Sequence, residues 1–324
     1  MTGIVPLPKL FMIDTLQKSV LEVPVDRPVE ALTIALLRDV KHACAQLGAK
    51  FVLAGATARD ILMWHLHDIR APVATRDVDV AVCAVSWESH DALIELLVQT
   101  QRFRRHSKQQ QKLLFKRSAE DYEGELDIVP FGQIEGPPGE IHWPPDGDIV
   151  MTVLGFQEAV DTAQPVSIGE GLVVPVVTLP AFVLLKLIAW KDRRLTKNTD
   201  SADLLFVLRN YIDAGNIERT YEQATDLLKA ANFDAGLAAA GLLGRDVRGL
   251  AYPDTRAALR ALLQSADAYE TLRLDLQARA AMLLGGFIDD SDALLAAFAR
   301  ELLTEENGSL NGTGPQVGST GARA

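Results

Sequence analysis

The spacing of apolar positions changes along the chain, and each change marks an element. Leu32, Leu36, Val40, Ala43 and Leu47 recur at helical spacing between Val29 and Leu47, and Gly48 follows as a stop signal. Phe51-Val52-Leu53-Ala54 is a short apolar run that reads as a buried strand. Gly55 ends it, and Ala58 to Leu66 returns to helix-favouring composition. Asp77 to Ala84 (DVDVAVCA) alternates polar and apolar residues at its start, which is strand periodicity. Trp87 to Val98 is amphipathic at helical spacing, and Lys112 to Arg117 and Gly124 to Val129 read as further strands. Phe131 to Gly147 holds four prolines and four glycines and predicts a loop. Val166–Ile168 and Leu172–Val174 flank Gly169-Glu170-Gly171, the pattern of a hairpin.

Composition shifts after Val177. From Leu179 to about Leu303 the chain is rich in Ala and Leu at helical spacing, with few strand formers. The expected class is α+β: a mixed-sheet region over residues 1–177 with its core at about 30–177, then a helical region over 178–304. Residues 1–28 are broken by Pro6, Pro8, Pro24 and Pro28 and read as irregular. The last stretch, 305–324, is Gly, Ser, Thr and Asn with little to bury, and a disordered tail is expected there.

Bulk numbers narrow the function classes. The chain has 324 residues, 48% hydrophobic and 23% charged, so most of it can bury a core. A formal net charge of -11 argues against an extended nucleic-acid or anionic-membrane surface, but leaves room for a local basic pocket. Cys44 and Cys83 are too few for a disulfide framework and read as small buried hydrophobes. No apolar run is long enough to span a bilayer and the first residues lack a continuous apolar segment, so a cytoplasmic protein with no membrane partner is expected.

Candidate chemistry starts with Asp77-Val78-Asp79. Residues i and i+2 of a strand share a face and lie roughly 6.6 Å apart. Two carboxylates so placed repel unless a cation lies between them, while Val78 and Val80 can bury on the other face. The same pattern also suits a solvated strand end. Upstream, Leu53 to Asp60 (LAGATARD) is a strand, a glycine, small residues and a helix start, where backbone N–H groups can meet phosphate oxygens; an ordinary strand-to-helix turn has the same composition. Asp127 ends an apolar-alternating strand and can complete a cluster if that strand neighbours Asp77–Val80, with Glu125 a weaker candidate on its face; an exposed strand edge is the alternative. Lys186 stands alone among Leu184, Leu185, Leu187 and Ile188, and so needs either an anionic partner or a route to solvent. Asp200 and Asp203 fall at the start of the following helix, where capping and the helix dipole favour acids, and for Asp200 that account suffices. The basic run Arg102, Arg104, Arg105, His106 and Lys108 has no interleaved aromatic platform and reads as a solvated strand end or loop.

Together these residues resemble the DNA polymerase beta-like nucleotidyltransferases, and within them the AbiEii-type toxin nucleotidyltransferases. The phrases that carry the likeness are GATARD at 55–60, ATRDVDVAV at 74–82, LDIVPFG at 126–132 and LLKLIAWKDRRLTKNTDSADLLFVL at 184–208. The resemblance implies a nucleotidyltransferase fold with Mg²⁺ or Mn²⁺ held by Asp77, Asp79 and Asp127. It implies an NTP bound by Gly55, Ala56, Thr57, Arg59, Lys186 and Arg193, with catalysis by the three aspartates and Lys186. Asp203 matches an acid that orients the lysine or the acceptor. The implied reaction moves a nucleoside monophosphate onto a hydroxyl, at a tRNA or other RNA 3′ end in a toxin–antitoxin system, with an antitoxin as partner. A small-molecule acceptor, or a non-catalytic nucleotide-binding protein of the same fold, are the alternatives. The chain departs from the pattern at Ala56, where Gly or Ser is usual, so that a hydroxyl for the phosphate is lacking unless Thr57 supplies it.

Overall fold

The computed structural model of the chain describes residues 18–72, 77–118, 121–196, 199–284 and 290–305. The tail expected at 305–324 lies outside the described residues from position 306 onward. The N-terminal half runs β1 (Leu21–Glu22), α1 (Ala31–Leu47), β2 (Phe51–Ala54), α2 (Gly55–Asp60), β3 (Asp77–Ala84), α3 (Trp87–Gln99), β4 (Phe103–Arg105), β5 (Lys112–Phe115), β6 (Gly124–Gly132), β7 (Glu140–Trp143), β8 (Ile149–Thr152), α4 (Phe156–Thr162), β9 (Gln164–Ser167) and β10 (Val173–Val176). After it come α5 (Leu179–Arg193), α6 (Thr199–Asn210), α7 (Thr225–Ala230), α8 (Ala235–Leu250), α9 (Pro253–Gln264), α10 (Ala266–Leu284) and α11 (Ser291–Leu303), and no described strand follows β10. The class is α+β, a mixed sheet followed by helices.

The main sheet has eight strands in the order β1-β9-β10-β2-β3-β6-β5-β4. Its centre is β2, β3 and β6, and their residues explain why. All of β2 is buried, as its unbroken apolar run requires, and β3 and β6 bury alternate positions such as Val78, Val80, Leu126 and Ile128. β3 pairs antiparallel with β2 and parallel with β6, in a register that sets Asp79 beside Asp127 and Asp77 beside Glu125. The helix α1 lays Leu32, Leu36, Leu37 and Val40 into the core and ends at Gly48, whose φ of 64° is the left-handed conformation that glycine adopts at low cost.

Two expectations need correction. Residues 131–147 are not all loop, because β7 lies within them and pairs antiparallel with β8 as a separate two-stranded sheet. Ile141 and Trp143 are the inward positions of β7, and Trp143 packs on Trp87 and His90 of α3. The prolines fall outside both paired segments, so they do not oppose the pairing. β6 also continues past its expected end at Val129, through Pro130. It pairs with β5 from Gly124 to Asp127, and the Ile128 N–H still donates to Gln111 on that side; Pro130 lies past both, so its missing N–H removes no bond of the β5 ladder.

The buried core is one continuous cluster that joins the sheet to the helices. The helix α5 occupies the junction. Phe182, Leu184, Leu187, Ile188 and Trp190 are all buried, and the Trp190 indole donates to Asp275 of α10 at 2.8 Å. In the helical half, Gly244 of α8 lets that helix meet α11 closely, since a Cβ there would lie 2.2 Å from the Phe298 carbonyl oxygen. No described helix is long and apolar enough to cross a membrane.

Candidate active site

β2 ends at Ala54, and the chain turns through Gly55 directly into α2. Gly55 has φ 65°, and a Cβ on it would fall 1.9 Å from the Asp79 carboxylate. Asp79 is therefore seated against the bare backbone of the turn, and any side chain at position 55 displaces it. Glycine serves here for close approach as well as for the turn. The Thr57 hydroxyl donates to the Asp77 carbonyl at 2.7 Å, which ties the turn to the first residue of β3. That hydroxyl braces the strand and does not stand in for the one lacking at Ala56.

The register between β3 and β6 brings the acids together across a strand spacing of roughly 4.8 Å. A cation that the sequence did not single out lies among them. Lys112 on β5 stands opposite Asp127, its side chain only 9% exposed. It donates to Glu125, and its Nζ lies 3.6 Å from Asp127 and 3.9 Å from Asp77. Burial alone pushes this ammonium down, but the hydrogen bond to Glu125 and the charges of Asp127 and Asp77 hold it above the ordinary lysine value. Glu125 is thus the anchor of Lys112. Among the described residues no three Asp, Glu, His or Cys side chains converge on a single metal-sized point. The carboxylates are nonetheless hard oxygen donors on registered neighbouring strands, the donor chemistry that Mg²⁺ and Mn²⁺ take.

Facing them is a line of alternating charges, buried at its centre and more exposed at its ends. Asp200, fully buried, accepts from Lys186 Nζ at 2.9 Å and from Arg193 Nε and Nη2, both at 2.8 Å. Lys186 also pairs with Asp203 at 2.7 Å, Asp203 accepts from Arg59, and Arg59 donates to Asp60 at 2.6 and 2.9 Å. The order is Asp60, Arg59, Asp203, Lys186, Asp200, Arg193, three acids against three bases. Burial opposes ionisation of Asp200, but Arg193 and Lys186 outweigh it and hold the carboxyl below its usual range. Burial likewise opposes the charge on Lys186, and Asp203 and Asp200 more than restore it.

Three sequence readings change at this network. The capping account of Asp200 is insufficient, because the residue is the buried hub between Lys186 and Arg193. Lys186 does not reach for bulk solvent along its stem; it has the anionic partners that an apolar helix demands. Arg59, expected at a phosphate, is 4% exposed with its guanidinium committed to Asp60 and Asp203 behind the turn.

Acids and bases meet in one cleft of about 500 Å³. Gly55, Asp79 and Asp127 line one side, and Lys186, Asp192 and Arg193 the other. Val129, Met151, Leu154, Phe156 and Phe182 form an apolar wall between them. Of the residues expected at the site, Ala56, Thr57, Arg59 and Asp77 do not line this cleft.

The model of the family described as nucleotidyl transferase AbiEii toxin, type IV toxin–antitoxin system, matches residues 36–298. The chain belongs to the AbiEii family. Its members are nucleotidyltransferases, and the chain is an enzyme of that class. No curated protein matches it. Among solved structures, it is similar to an antigenic nucleotidyltransferase-like protein from Paracoccidioides brasiliensis, at 16% identity and TM-score 0.36, over 60% of this chain and 90% of that one. It is similar to the antibiotic-resistance factor ANT(2'')-Ia at 12% identity and TM-score 0.33, over 63% of this chain and 98% of that one. It is also similar to the Thermotoga maritima CCA-adding enzyme complexed with tRNA, at 12% identity and TM-score 0.23, over 86% of this chain and 82% of that one. Likenesses this distant carry no inference about substrate.

Two features of this AbiEii-family site escaped the sequence reading. Lys112 opens the apolar run KLLF, and its meaning depends on the β5–β6 register, which no local pattern states. The β7–β8 hairpin, whose β8 contributes Val150, Met151 and Thr152 to the cleft, was hidden by prolines and glycines. Its signal was the alternation of Ile141 and Trp143 facing the run Ile149–Thr152.

Proposed function

We propose that this AbiEii-family chain moves a nucleoside monophosphate from an NTP to the 3′ hydroxyl of a tRNA or another RNA, in a divalent-metal-dependent reaction that a cognate antitoxin opposes. The observation that carries this reading is the single cleft with Asp79 and Asp127 on one wall and Lys186 and Arg193 on the other. A nucleoside triphosphate needs cations around its phosphates and a route for the acceptor proton, and these walls provide for both.

Asp77, Asp79 and Asp127 are the residues that would hold Mg²⁺ or Mn²⁺. When bound, the ion neutralises phosphate oxygens and lowers the pKa of the attacking hydroxyl. The acceptor oxygen bonds to the α-phosphorus, the bond from that phosphorus to the bridging oxygen breaks, and pyrophosphate leaves. Asp127 would draw off the acceptor proton. Gly55 keeps Asp79 seated at the turn, and Gly55 is the residue of that turn that would border the phosphates. Lys186 and Arg193 receive the charge of the leaving pyrophosphate. Asp200 and Asp203 hold them in place beforehand, so little reorganisation accompanies charge transfer. The apolar wall around Phe156 and Phe182 suits the sugar and base.

One observation favours a small-molecule acceptor instead. Arg102, Arg104 and Arg105, the most basic run of the chain, are paired with Asp39, Glu123 and Glu95, so their charge is already answered. An RNA acceptor on this reading inserts only its 3′ end. Labelled NTP incubated with total tRNA, and separately with a panel of hydroxylated small molecules, decides between them. Label in RNA is expected. Label only in small molecules overturns the RNA acceptor, and unchanged transfer by Asp77→Ala and Asp79→Ala overturns the metal site.

A further inference from the structure

Lys112 is a buried cation on the acidic face. Burying a lysine is costly unless its charge is answered, and here three carboxylates from two strands answer it. Glu125 takes its hydrogen bond, while Asp127 and Asp77 lie within 3.6 and 3.9 Å. Asp127 and Asp77 are also residues that the proposed function assigns to the metal. The ammonium therefore occupies the same anionic field that a divalent ion must enter. Its side chain is held by the β5–β6 register and is 9% exposed, so it has little freedom to swing into water.

We infer that Lys112 is the resident counter-ion of the acidic face: it positions Glu125 and Asp127 and weakens divalent-metal binding to the nucleotide-free protein. The inference rests on the proposed function for the identity of the metal-binding aspartates. Repulsion between the ammonium and an entering dication is the physical cause. An NTP brings negative charge that offsets the added cation, so metal and nucleotide are expected to enter together. Lys112 is a positioning residue here and takes no covalent part in the reaction.

The test is a Mn²⁺ titration followed by electron paramagnetic resonance, on the full chain without nucleotide. Wild type, Lys112→Met, Lys112→Arg and Asp79→Asn are compared, the last also combined with Lys112→Met. Lys112→Met is expected to bind Mn²⁺ at least about tenfold more tightly, the effect of deleting one nearby like charge at a partly solvated site. Lys112→Arg keeps the charge and is expected to match wild type. A merely structural lysine would not produce that split. If methionine at 112 prevents folding, Lys112→Gln serves the same measurement. Equal or weaker Mn²⁺ binding by Lys112→Met overturns the inference. If Asp79→Asn still lowers binding in that case, the metal site of the proposed function stands. If Lys112→Met binds more tightly but Asp79→Asn does not reduce that binding, the metal assignment falls, and with it the inference that depends on it.

Discussion

Two charged clusters face each other across the cleft, and they are built on opposite terms. The line from Asp60 to Arg193 balances three acids with three bases, and its inner members Arg59, Lys186, Asp200 and Asp203 have side chains 10% exposed or less. On the acidic face Lys112 meets Asp77, Glu125 and Asp127, and the charge of Asp79 also reaches Arg193, with Asp77 and Glu125 about two-fifths exposed. Removing one member of the balanced network strands its buried partners. The acidic face is more open to solvent, so an acid removed there strands no fully buried partner. On the proposed function, the first cluster is framework for the second and holds Lys186 and Arg193 where substrate charge would arrive.

The comparison predicts different responses to neutralising one aspartate on each side. Asp79→Asn should lower nucleotidyl transfer by about 10³-fold, the scale on which loss of an electrostatic stabiliser acts. Its urea midpoint should fall by less than that of Asp200→Asn, because Asp79 is only half-buried. Asp200→Asn should cost about 3–5 kcal/mol of stability in urea denaturation, because Lys186 and Arg193 lose their shared buried partner. Equal destabilisation by both variants would break the contrast.

Gly55→Ala probes the seat of Asp79. The left-handed backbone adds about 1–2 kcal/mol of strain, and the new Cβ forces the carboxylate aside. Transfer should fall roughly tenfold to hundredfold, as for a misplaced reacting group, with most of the loss in kcat. An unchanged rate would mean that Asp79 works from another position.

Acid titration separates the clusters further. The Asp200 carboxyl is held below its ordinary value in the fold, so the unfolded chain takes up that proton first. The stabilisation is present above the ordinary carboxylate value and is lost as pH falls through the folded one. Wild-type urea midpoints should therefore drop between about pH 5 and pH 2, and less steeply in Asp200→Asn. The smallest effect belongs to the exposed pairs. Arg104→Ala, which removes the bond to Glu123, should shift stability by less than about 1 kcal/mol.

Much of this was legible in the chain. The strand Asp77–Ala84 and its two acids followed from period-two alternation, and the helix carrying Lys186 followed from an apolar run with one cation in it. The need of Lys186 for an anionic partner was also legible, because the cost of burying a charge does not depend on the fold. The identity of that partner was not. Asp200 looked like an ordinary helix-start acid, since local sequence cannot show that α6 presses that position against α5. Prolines masked β7 because their number, rather than their placement outside the paired segments, dominated the pattern.

The sequence alone determined which residues share a strand face, where glycine is needed, and which charges require answering, because these follow from backbone geometry and solvation over a few residues. Only the tertiary structure decided which charges answer one another. Strand register set Lys112 opposite Asp127 and Asp79 beside it, and packing of α5 and α6 joined Lys186 to Asp200 and Asp203. Electrostatic energy depends on distance through space, and separation along the chain does not fix that distance.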